Sequence, residues 1–128
     1  RWGVSLRTPL GRVLGLGSAG GGTGHWWSQR VSAVALVILT VWFVFSLLTL
    51  DLASHSELSG WLGRPQNAVL MVLLVAVAAY HSLLGTEVVV EDYSRGGVRV
   101  MGRVLLQFGH VLVAGVGIFA VLKLAFGG

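Results

Sequence analysis

The chain has 128 residues, 55% of them hydrophobic and only 11% charged, with a mean hydropathy of +0.82. Soluble domains carry about 25% charged residues, so this composition excludes an ordinary soluble domain and points to a lipid bilayer. There is no cysteine, which excludes disulfides, thiolate-bound zinc, iron–sulfur ligation and a cysteine nucleophile within the chain; the net charge of +4 comes from arginines that flank apolar runs, so membrane topology accounts for it without nucleic acid.

Residues 1–24 form a basic, glycine-rich arm that includes Gly20-Gly21-Gly22. The arm lacks the continuous apolar run of a secretory signal. It is expected to have little structure of its own, either as a flexible tail or as a segment laid against a soluble partner subunit. Residues 25–128 are expected to form one transmembrane domain of three helices. His25-Trp26-Trp27-Ser28-Gln29-Arg30 approaches the first span, and paired tryptophans suit the interfacial belt between headgroups and hydrocarbon. Arg30 opens an uncharged run, where it either snorkels to the surface or meets an anion.

The first span is read over residues 31–50, long enough at about 30 Å to cross the hydrocarbon core. Asp51 closes it, and Asp51 to Arg64 reads as a short polar loop in which His55 is a solvated residue. Pro65 suits the first turn of the next helix, where its missing N–H costs little. The second span, residues 68–90, contains His81 and Glu87. An ionisable group at that depth is a functional candidate by default. Glu87, six positions on, points away from the His81 face, toward a partner helix or the interface. The second loop is read from Glu91 to Arg103, with Gly96-Gly97 as a turn. The third span covers residues 104–122 and carries His110, a rival to His81 on depth alone but read as a hydrogen-bonded interhelical residue. Gly109, Gly115 and Gly117 are small residues that allow close packing in lipid.

Lysines and arginines divide seven against two between the side holding the arm and second loop and the side holding the first loop and C-terminus. The positive-inside rule therefore expects a cytoplasmic N-terminus and a periplasmic C-terminus.

The second span organises the rest. His81 and Asp92 are eleven residues apart. On a continuous helix they fall within about 20° of one face and about 16 Å apart along it. Gly85 lies near the same stripe, and Tyr93 adjoins Asp92. A neutral imidazole is a good axial ligand for haem iron, and small residues such as Ala78 and Gly85 near it would leave room for a flat macrocycle. The bland alternative is a histidine bonded to a carbonyl of a neighbouring helix. A phenol O–H can donate to a ligand carbonyl and help deliver a proton, and a carboxylate can hold an arginine in place. The bland alternative there is an interfacial tyrosine beside a helix-end acid, which the helix dipole would leave wanting a cation such as Arg95.

His81, Gly85, Asp92 and Tyr93, the three-span layout and the Gly-Thr-Gly-His-Trp-Trp-Ser-Gln-Arg lead-in together resemble the hydrophobic anchor subunits of bacterial succinate dehydrogenase, respiratory complex II. The resemblance covers most of the chain. It implies an all-α, three-span membrane protein that packs with a second membrane anchor subunit of the cytochrome b type in the bacterial inner membrane. It implies that His81 ligates haem b, with the second anchor giving the other ligand, and that Arg30, the better match, and His25 approach the haem propionates. Tyr93 and Asp92 would border the site where ubiquinone is reduced. FAD and the iron–sulfur clusters would reside in a flavoprotein subunit and an iron–sulfur subunit, and this chain alone would have no activity. A fumarate reductase anchor, or menaquinone as the partner quinone, uses related parts. From other classes, a small self-assembling transporter needs a polar pathway that the sequence does not display, and a tether without cofactor needs neither histidine nor tip.

Overall fold

A computed structural model describes residues 8–13 and 20–127. The described residues form five helices and no strand: α1 (Pro9–Val13), α2 (Gly20–Leu48), α3 (His55–Leu62), α4 (Pro65–Tyr93) and α5 (Gly96–Ala125). Three of them, over Gly22–Leu48, Pro65–Tyr93 and Gly96–Ala125, are long and apolar enough to cross a membrane. The 29 residues of α4 span about 43 Å, so both its ends reach past the hydrocarbon into the headgroup layers.

The helices lie in a row. α4 packs against α2 on one side and α5 on the other, while the backbones of α2 and α5 do not approach each other closely. A row of three leaves both broad faces uncovered. Only Leu62, Leu84 and Val121 are buried apolar residues among those described, and Phe45, Phe108, Val111, Leu112 and Phe119 lie exposed. In water that pattern would expose far more apolar surface than a monomer tolerates. In lipid it is the expected outer surface, because acyl chains are as apolar as leucine.

Three boundaries differ from the sequence expectation. Gly20 to Gly24, read as part of an unstructured arm, already belongs to α2. Once the apolar run behind it is helical, each added glycine costs only its propensity, about 1 kcal/mol, and no new nucleation. Pro9–Val13 is helical as well, and the remainder of the arm lies outside the described residues. The first loop contains α3, whose start is a capping arrangement: the Ser54 hydroxyl accepts from the Glu57 N–H at 3.3 Å. Trp61 of α3 stacks on Trp42 of α2 at 5.5 Å, and Asn67 donates to the Trp61 carbonyl at 2.9 Å, so the loop is pinned to the bundle.

The second loop shrinks to Ser94 and Arg95, because α5 starts at Gly96 with φ +58, a conformation that suits glycine. Arg99 makes so short a reversal workable. It donates to the Ser94 and Glu91 carbonyls at 2.9 Å each, capping the end of α4 with a cation. Pro65 sits in the first turn of α4, as expected.

Candidate functional site

α4 is one unbroken helix from Pro65 to Tyr93, so His81 and the Asp92-Tyr93 tip share a single rigid element. Its two seams have different chemistry. Toward α2, the His81 Nδ1 lies 2.9 Å from the Ser32 hydroxyl, and Ser32 in turn donates to the Gln29 carbonyl at 3.1 Å. A hydroxyl has one proton. When Ser32 gives it to Gln29, it can only accept from His81. In that arrangement the proton of a neutral ring is on Nδ1 and Nε2 keeps its lone pair; with the hydroxyl turned toward His81 the tautomer is the opposite one. Ser32 is itself buried, at 6% exposure, while His81 is half-buried. Gln29 Oε1 nearby is buried with no hydrogen-bond partner among the described residues.

Toward α5, the second mid-membrane histidine is fully engaged. The His110 Nδ1 donates to the Leu106 carbonyl at 2.8 Å, and its Nε2 lies 3.1 Å from the Ser82 hydroxyl. The expectation of an interhelical, hydrogen-bonded His110 holds. Of the two expectations for Glu87, pairing with another helix and reaching the interface, the first holds: it is buried against α5, where Gln107 donates to its carboxylate at 2.9 Å. A cavity of about 830 Å³ lies between α4 and α5, lined by apolar residues together with Ser82 and His110. Ala78 lines that cavity, whereas Gly85 turns to Gln29 of α2. The two small residues near His81 thus serve different seams and do not form one slot.

At the α4 tip, Tyr93 is 88% exposed and open to any group that docks there. Asp92 is also exposed. The expected local partner Arg95 does not pair with it. Arg103 reaches Glu91 instead, at 3.5 Å, and Arg99 binds backbone. The cationic charge that the helix end requires is present, but it leaves the Asp92 carboxylate for another partner.

Arg30 lies over the Trp26 ring, 5.2 Å from its centroid. It is two residues before Ser32 and so about 160° around the helix from the Ser32 face. His25, seven residues before Ser32, falls within about 20° of that face. Helix geometry therefore favours His25 over Arg30 as the group above the His81 seam. Neither is hydrogen-bonded to His81. Ser32, Ser82 and Gln107 were not legible as site residues, since each is an ordinary polar residue until the fold gives it a partner.

Among the described residues no three His, Asp or Glu side chains gather into a metal cluster. His81 is thus a single potential donor rather than part of a cluster.

These features define a three-span helical membrane protein with an imidazole held inside the membrane and a phenol and carboxylate at the end of the same helix. Residues 5–122 match the model of the succinate dehydrogenase/fumarate reductase transmembrane subunit family, and the chain belongs to that family. It is 35% identical over 121 residues to the succinate dehydrogenase hydrophobic membrane anchor subunit of Paracoccus denitrificans, covering 94% of this chain and 93% of that one. The anchor subunit of the same description from Rickettsia bellii is 32% identical over 88 residues, covering 69% and 70%, and that of Rickettsia conorii 37% over 78 residues, covering 60% and 62%. No solved structure matches the chain.

Proposed function

We propose that this chain anchors a succinate:quinone oxidoreductase in the bacterial inner membrane, gives haem b one axial ligand through His81, and contributes Tyr93 and Asp92 to the quinone-reduction site. The observation that carries the reading is the contrast between the two histidines: His110 spends both ring nitrogens inside the chain, while His81 spends only Nδ1. A buried-side imidazole held in one tautomer with Nε2 bare is the donor an axial position needs. The uncovered faces of the helix row support a second anchor subunit of the cytochrome b type, which would supply the opposite ligand. His25, on the Ser32 face of α2, is the better placed of the two residues considered for the propionates.

When bound, the haem supplies a one-electron carrier within the membrane. The chain's own residues hold and shape. α4 fixes the separation between His81 and Tyr93. The Tyr93 hydroxyl donates a hydrogen bond to a ubiquinone carbonyl and assists its protonation, and Asp92 holds a cation brought by a partner subunit. FAD and the iron–sulfur clusters belong to the flavoprotein and iron–sulfur subunits. The seven-to-two distribution of lysine and arginine supports a cytoplasmic α4 tip and a periplasmic C-terminus.

The test is the reduced-minus-oxidised spectrum of the purified complex. His81→Ala is expected to lose the b-type band and His110→Ala to keep it; retention in His81→Ala overturns the ligand assignment. Tyr93→Phe is expected to lower quinone reduction by roughly 100-fold while succinate oxidation by a soluble dye continues. Equal loss in both assays would move Tyr93 from the quinone to assembly.

A further inference from the structure

We propose that Ser32 is a positioning residue for the haem iron: it accepts the Nδ1–H of His81, fixes the ring's tautomer and orientation, and raises the electron donation of Nε2. The inference rests on the reading of His81 as an axial ligand. Three observations on different atoms support it. The contact is short, 2.9 Å, and joins residues 49 apart in sequence, so α2–α4 packing creates it. The Gln29 carbonyl lies 3.1 Å from the same hydroxyl and can only accept, so it gives the Ser32 proton a place to go while Ser32 accepts from His81. Ser32 is buried, so water does not compete for the acceptor site.

Ligating histidines generally donate their other ring N–H to an acceptor, which makes the ligand more basic, and losing such a partner weakens the metal site about 10- to 100-fold. A more basic imidazole favours ferric over ferrous iron. Removing the acceptor is therefore expected to raise the haem midpoint potential. Nothing in the spacing of Ser32 within the first apolar run marks it for this role, since Thr40, Ser46 and Thr49 share that run.

The experiment uses the intact complex carrying Ser32→Ala or Ser32→Thr, with the midpoint potential taken by optical redox titration and the low-spin ferric signal by electron paramagnetic resonance. Ser32→Ala is expected to raise the potential, shift the resonance and release haem about 10-fold more readily. Ser32→Thr, which keeps the hydroxyl, is expected to restore all three toward the parent values. An Ala variant with unchanged potential and resonance, or a Thr variant that behaves like Ala, overturns the role of Ser32. His81→Ala in the same preparation separates the two claims: if it keeps its haem, the ligand reading itself has failed, whatever Ser32 does.

Discussion

The two seams of α4 solve one problem in opposite ways. Both place polar side chains in a membrane interior, where an unpaired group is costly. The α4–α5 seam closes its polar groups within the chain: Glu87 on Gln107, and both nitrogens of His110 on Ser82 and Leu106. Its two helices approach closely at two points, Gly117 against Val75 and Gly102 against Val90, beside the cavity between them. Among the described residues, the α2–α4 seam leaves an imidazole nitrogen and the Gln29 Oε1 without partners. The difference separates polar residues that pair across helices from those that keep an atom unpaired among the described residues. Depth in the membrane does not separate His81 from His110; the count of satisfied ring nitrogens does.

The comparison breaks most visibly if His110→Ala, and not His81→Ala, removes the haem band. The next largest effect belongs to the closed seam. A Cβ on Gly117 would stand 2.9 Å from the Val75 Cγ1, and valine has little rotamer freedom in a helix. Gly117→Leu is expected to destabilise the α4–α5 pair by about 1–3 kcal/mol, read as a lower melting temperature of the complex in detergent. Gly115→Leu serves as its partner measurement, because a Cβ there meets nothing within 4 Å in this chain. If both behave alike, the seam is looser than its geometry implies. Smallest is Glu87→Ala, which strands the Gln107 amide. A loss of about 1 kcal/mol in the same melting measurement is expected, with Glu87→Gln nearer to neutral. A fall in quinone reduction without a fall in melting temperature would move Glu87 out of the structural seam.

The tip repeats the lesson on a smaller scale. Three arginines follow the acidic end of α4 in sequence, and a cation near the last turn was expected from the helix dipole. Which acid each arginine meets was not. Arg99 and Arg103 sit one turn apart near the start of α5, so both reach back to Glu91, and Asp92 beside it stays uncommitted. The ion pair with Arg103 is half-exposed and contributes at most about 1 kcal/mol, so its value lies in leaving Asp92 and Tyr93 outward.

Apolar runs of helix-spanning length, their arginine flanks and the eleven-residue step from His81 to Asp92 determine the three spans, their expected orientation and the shared face of α4, because lipid forces backbone groups into helices and helical periodicity is a local property. Local signals also existed for α3, in the Ser54-to-Glu57 spacing, though the polar composition of that stretch masked them. Which side chains satisfy one another across a seam depends on how two helices cross, and no local pattern encodes that. Only the packed structure sets Ser32 against His81 and Ser82 against His110, and so decides which of two similar histidines has a nitrogen left to give.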